Sequence, residues 1–154
     1  MTPEISWRGG TPLSEDELRE TESKLGVTFP PDFRDTALKH NGGVPNRTSF
    51  TYQHPRTGKS REDSFAHLLS LRPQDEENVF EVMGSLAVDD QLPSGVIPIG
   101  GNGGGNFIGL DYRSGKQPSV ILWLHEENAE ESVTQIARNF DELLQNLRIP
   151  DDAE

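Results

Sequence analysis

At Asn41-Gly42-Gly43 the hydrophobic period of the chain changes from that of a helix to that of a strand, and this change limits the fold to a few arrangements. Before it, Ser14 and Glu17 form a capping box that starts a helix at about residues 15–25. Leu18 and Leu25 are a heptad apart, with Thr21 and Glu22 on the same side, and Gly26 supplies a left-handed stop. Val27 and Phe29 lead into Pro30-Pro31, whose fixed φ suits an extended approach and then a first helical turn. A second helix over about 32–40 turns Phe33, Ala37 and Leu38 inward.

After the glycines, residues 48–53 place Phe50 and Tyr52 on one face, 55–59 read as a polar turn, and 65–71 as a strand completing an antiparallel pair. Val79, Val82, Met83 and Leu86 predict a third helix over 75–86. Pro93 closes the loop that follows, and 96–99, 106–110 and 120–124 read as a three-stranded meander. A last helix over about 132–147 is expected to bury Val133, Ile136, Phe140, Leu143, Leu144 and Leu147. The expectation is an α+β fold: one domain over 1–149 with a polar tail at 150–154, and a mostly antiparallel or mixed sheet of about five or six strands flanked by about four helices. No internal repeat or linker divides the chain.

Composition narrows the function. With 14 basic and 26 acidic residues the net charge is −12, which disfavours nucleic acid as a direct ligand and favours a basic protein partner. Acidity of this kind also serves solubility alone. No apolar stretch is long enough to span a membrane and residues 1–10 do not read as a secretory signal, so a cytoplasmic chain is expected, without a membrane partner. Absence of cysteine excludes disulfides, thiolate metal sites and a cysteine nucleophile.

The run Gly100 to Gly105 invites confusion with a phosphate loop. Such a loop precedes a helix, and in Walker form carries a lysine; here a strand follows and no lysine lies within it. A turn or bulge with φ values suited to glycine is expected, close approach of a partner's backbone being the alternative. His40, His54, His67 and His125 are scattered without metal-type spacing, Asp111 suits an Asx-type turn cap, and no Gly-x-Ser-x-Gly elbow exposes a serine. No catalytic residue, cofactor or metal is therefore expected, and the chain does not read as an enzyme. Trp123 lies in an apolar strand and reads as core, with a partner-facing anchor as the alternative. Asp75-Glu76-Glu77 and the run Glu126, Glu127, Glu130, Glu131 fall at the starts of expected helices, where carboxylates favour the helix dipole. Asp89 and Asp90 have no such explanation and are the stronger partner-binding candidates; Glu126, Glu127 and Trp7 complete the set.

The order of motifs resembles the SUKH superfamily, which includes the Smi/Knr cell-wall regulators of fungi and many bacterial immunity proteins. The matching pieces are Glu22-Ser23-Lys24-Leu25-Gly26, Phe29-Pro30-Pro31-Asp32-Phe33 and Asn41-Gly42-Gly43. They continue with Leu92-Pro93, Ile97-Pro98-Ile99-Gly100, the stretch from Gly103 to Asp111, and Phe140-Asp141-Glu142-Leu143-Leu144. One departure is Asn102, where relatives often carry an acidic residue. The resemblance implies a sheet flanked by helices and no catalysis. In bacteria it implies binding and neutralising a toxin, many such toxins being nucleases; in fungi it implies a regulatory scaffold in a signalling or cell-wall complex. A compact chain without long polar extensions favours the immunity role.

Overall fold

Helix α1, Glu15–Leu25, begins at the capping box: the Ser14 hydroxyl accepts from the Glu17 amide and the Glu17 carboxylate accepts from the Ser14 amide. It ends at Gly26, whose φ of 71° is the left-handed stop. Its buried residues are Leu18 and Thr21, the thin stripe expected of a helix over the edge of a core. Helix α2, Pro31–His40, starts on its own proline and buries Phe33 and Ala37. The computed structural model describes residues 5–87, 91–128 and 131–149.

Nine strands were found among the described residues: β1 (Trp7–Arg8), β2 (Val44–Pro45), β3 (Ser49–Gln53), β4 (Ser60–Ser64), β5 (His67–Leu68), β6 (Val96–Gly101), β7 (Phe107–Asp111), β8 (Ser119–Trp123) and β9 (Val133–Ala137). Helix α3, Val79–Ala87, lies between β5 and β6, and α4, Phe140–Asn146, follows β9. The main sheet has the order β5-β6-β7-β8-β9 and is antiparallel throughout; β1 pairs with β2 and β3 with β4 in two small ribbons.

This is the expected α+β architecture, with three corrections in its parts. The chain over 133–137 is strand, not helix: Val133 to Ala137 pair with β8, and the helix starts only after Asn139, whose side chain accepts from the Glu142 amide. The spacing of Val133, Ile136 and Phe140 imitates a helix, but the β-branched run fits a pleat, and the cap marks the true start. Secondly, β3 pairs with the polar β4, whereas 65–71 contributes only β5, which joins the main sheet beside β6. Most of β4 is exposed on both faces, so it has no apolar alternation to reveal it. Thirdly, α3 begins at Val79 and not at 75, because the Asn78 side chain caps it by accepting from the Glu81 amide.

The core lies mainly on one face of the sheet. Ile97, Ile99, Ile108, Leu110, Val120, Leu122 and Leu124 pack there with Leu18, Phe33, Phe50, Phe140 and Leu143 from α1, α2, β3 and α4. Phe33 meets Phe29 and Phe140 edge to face, with ring centroids 5.0 and 5.2 Å apart. The opposite face is a smaller cluster of Val96, Ile121 and Trp123 under Leu86 of α3, with Val82, Leu92, Phe107 and Val133 half-buried around it.

Candidate functional site

The glycine run divides between strand and loop. Gly100 and Gly101 belong to β6, and a Cβ at Gly100 would stand 2.8 Å from the Phe65 ring, so glycine is needed there for packing. Beyond them the loop is organised by Asn102. Its Oδ1 accepts from the amides of Gly104 (2.7 Å) and Asn106 (3.0 Å), and its Nδ2 donates to Asp63 Oδ1 (2.9 Å) on β4. Asn106 Nδ2 donates to the other Asp63 oxygen, also at 2.9 Å. The remaining Asn106 oxygen accepts from the His125 amide at 3.0 Å and lies 2.6 Å from His125 Nδ1, which therefore carries the proton. One carboxylate and two amides thus tie together β4, the loop and the end of β8. Gly103, at φ 83°, needs the left-handed region, and Gly105, at φ 108°, is packed against the His125 ring.

This geometry gives the departure at Asn102 a physical meaning. The side chain at that position must donate to Asp63 as well as accept from two amides, and a carboxylate cannot donate. An acidic residue at 102 would place its charge against Asp63. The sequence does not group Asn102 and Asn106 with Asp63; two asparagines bracketing a glycine run are its available signal for an Asx-type turn.

Beside this loop runs a groove between α3 and β7. One part, about 250 Å³, is lined by Glu77, Glu81, Val82, Ser85, Leu86 and Phe107. The adjoining part, about 210 Å³, shares Glu77, Val82 and Phe107 and adds His67, Gly103 and Gly105. Its walls are mostly apolar and its rim carries carboxylates. A larger groove of about 710 Å³ lies between the end of α1 and the β7–β8 turn, but Glu22 and Tyr112 in its lining already have partners. Glu22 accepts from the Phe29 amide and Arg34, and the Tyr112 hydroxyl donates to the Thr28 carbonyl, its pKa pushed up by burial. The groove beside the glycine loop is therefore the better candidate for binding.

The sequence candidates are scattered. Asp89 and Asp90 lie outside the described residues. Trp7 is half-buried, stacked on His40 at 5.8 Å and edge-on to Phe65, which makes it a cover on the core; burial and Lys39 lower the pKa of His40. Glu126 and Glu127 diverge. Glu126 is 85 % exposed, while Glu127 takes two hydrogen bonds from Arg56 and lies 2.9 Å from Nε2 of the buried His54. Arg56 holds the Glu127 carboxylate below the usual range. The described acidic residues of this run, Glu126, Glu127 and Glu131, sit in and just after the β8–β9 turn, and not at a helix start; their dipole explanation fails with the helix over 132–137. Trp123 is buried in the smaller cluster and its indole donates to the Gln91 carbonyl at 3.1 Å.

His54 has both ring nitrogens engaged, Nδ1 accepting from the Arg56 amide at 3.2 Å and Nε2 facing Glu127. Asp111 accepts from the Arg113 amide and guanidinium, as a turn cap does, and its pKa is lowered despite burial by those hydrogen bonds. Among the described residues no three His, Asp or Glu side chains converge as metal ligands would. None of the helices there is long and apolar enough to cross a membrane.

The sheet, its helical layer and the loop between β6 and β7 agree with one family. Residues 12–146 match SMI1/KNR4 (SUKH-1). The chain belongs to this family. The match runs from just before the capping box of α1 to the end of α4 and so covers every element that builds the groove. Among curated proteins, the chain is similar to the SPbeta prophage-derived uncharacterized protein YokK of Bacillus subtilis (strain 168), 23% identical over 147 residues, which span 87% of this chain and 74% of the relative. It is also similar to the uncharacterized protein YnaB of the same organism, at 52% identity, over a stretch of 31 residues that spans 20% of this chain and 22% of that protein.

Proposed function

We propose that this chain is a non-catalytic protein-binding module of the immunity type, which neutralises a toxin domain by covering a basic face of it. The observation that carries the reading is an apolar groove with an acidic rim, backed by a loop locked through Asp63, Asn102 and Asn106, in a SUKH-1 chain of net charge −12. A locked surface loses little conformational freedom on binding, and a negative field speeds encounter with a positive partner. Two of the four histidines are already committed to holding the fold: His54 is engaged at both nitrogens, and His125 uses Nδ1 to hold the loop.

The test is association with the protein encoded immediately beside this chain, followed by stopped-flow kinetics at several salt concentrations. A complex is expected whose on-rate falls as the Debye length shrinks from roughly 10 Å at 0.1 M to about 3 Å at 1 M. Replacing Asp89 and Asp90 by Lys is expected to slow association and leave the melting temperature unchanged. A salt-indifferent on-rate would remove the electrostatic part of the reading, and turnover by the isolated chain would remove its non-catalytic part.

A further inference from the structure

One residue on the groove has an uncommon backbone conformation. Glu77 is the single non-glycine residue with positive φ among the described residues, at 53°, a conformation that is uncommon for such a side chain and that collects at functional positions. It is held by its carbonyl, which accepts from the Ser70 amide at 3.1 Å, and by the bridge between Ser70 and Asn78. Its carboxylate is 73 % exposed, with Oε2 3.2 Å from His67 Nε2 in an orientation that makes no hydrogen bond. Glu81, in the first turn of α3, stands on the same rim. Among the described residues no lysine or arginine pairs with either, whereas Glu17, Glu22, Asp111, Glu127 and Glu142 each hold an arginine.

We propose that this groove receives a basic, apolar segment of the partner protein, with one Lys or Arg side chain set between Glu77 and Glu81 and a neighbouring aromatic or aliphatic side chain resting on Phe107 and Val82. The inference rests on the reading of the chain as a protein-binding module and names the chemistry of its partner. Charge complementarity selects the cation, because two carboxylates with no lysine or arginine partner among the described residues face a mostly apolar floor. The two adjoining parts, about 250 and 210 Å³, give room for two neighbouring side chains of one segment. Gly103 lines the same groove with open space where a side chain would be, so an extended backbone can approach it.

The test uses the whole chain and a random peptide library displayed on phage. Selected peptides are synthesised and titrated against isotope-labelled wild type, the double variant Glu77→Asn with Glu81→Gln, and the control Asp35→Asn on exposed α2. Asn tolerates the left-handed region, so the double variant keeps the backbone while losing both charges. Expected are peptides with Lys or Arg within two positions of an aromatic or aliphatic residue, and amide shifts centred on Glu77, Glu81, Val82 and Gly103. The double variant is expected to weaken binding by about tenfold, and the control to leave it within about twofold. Selected peptides without that pairing, shifts elsewhere, or affinity unchanged in a double variant whose melt matches wild type would overturn the proposal. A toxin complex that forms equally well with the double variant would overturn the groove assignment and leave the protein-binding reading intact. Peptides that bind the groove with no protein complex found would do the reverse.

Discussion

The two faces of the five-stranded sheet are closed by very different amounts of protein. One is covered by α1, α2, α4 and the β3–β4 ribbon, with fully buried Leu18, Phe33, Phe50, Phe140 and Leu143 over strand residues such as Ile108, Leu110 and Leu122. The other has α3, whose Val79 reaches into the main core and whose Leu86 is buried in the smaller cluster, while Val82 and Phe107 stay half-open beside the groove. Stability is concentrated on the first face, and the second is left free to carry a surface that can be changed without unfolding the chain. This division is what a binding module needs, since a pocket that is also the main core cannot vary its lining cheaply.

Emptying each face in turn separates their contributions to stability. Phe33→Ala on the closed face is expected to cost about 3–5 kcal/mol, as buried aromatic deletions do. Leu86→Ala is expected near the lower end for its type, about 2 kcal/mol, because its surroundings are thinner and can collapse. Urea denaturation of both variants checks this, and equal losses would show that α3 is as much a part of the core as the other helices.

The two ends of the glycine run sharpen the contrast. Gly100→Ala forces a Cβ to within 2.8 Å of Phe65, and overpacking of this kind costs about 1–3 kcal/mol. Gly104 has no positive φ, and its nearest neighbours would be Asn102 side-chain atoms at 3.6 Å and beyond. Gly104→Ala is therefore expected to stay within about 0.5 kcal/mol of wild type. Thermal melts of the pair separate glycine kept for packing from glycine in an open loop.

Asn102→Asp tests whether the groove side is locked as described. The change removes a donor to Asp63 and sets two carboxylates against each other; a loss of about 1–2 kcal/mol is expected. Faster amide exchange at Gly104 and Asn106 should accompany it, with little change in the strands of the closed face. Wild-type exchange throughout would show that the loop does not depend on its Asp63 anchor.

A small effect is expected from acid. Arg72 donates to Glu17 at 2.7 Å and also holds Thr11 and the Pro12 carbonyl, and its hydrogen bonds lower the Glu17 pKa from 4.5 to about 2. A carboxyl whose folded pKa is depressed stabilises the fold fully above its unfolded value, so this contribution is present above pH 4.5 and is lost as pH falls towards 2. Glu17 is partly exposed, which limits the effect to under about 1 kcal/mol. Comparing Glu17→Gln with wild type across that window measures it, and an identical acid response would remove the clasp from the account.

The helical half was legible because its signals are local. Ser14 with Glu17, Gly26, and Pro30-Pro31 each act within a turn of their own position, so α1 and α2 follow from neighbouring residues. The meander was legible for the same reason, through period-two runs separated by turns. The edges of the fold were not. Val133, Ile136 and Phe140 satisfy a helical period as a matter of spacing, and only the backbone hydrogen bonds offered by β8 decide that 133–137 is strand. The same is true of β4, which has no apolar pattern and exists because β3 lies beside it.

For the site, the sequence by itself determined the negative charge, the glycine loop, the absence of cysteine and the resemblance to SUKH proteins. It also marked acidic residues in numbers, but not which of them are already used. Tertiary structure decided that Glu127 is occupied by Arg56 and His54, that Asp63 anchors a loop about forty residues away, and that Glu77 and Glu81 flank an apolar groove. The physical reason is range: capping and turn chemistry act between residues close in the chain, whereas charge pairing and groove formation depend on distances that exist only after the sheet has brought remote segments together.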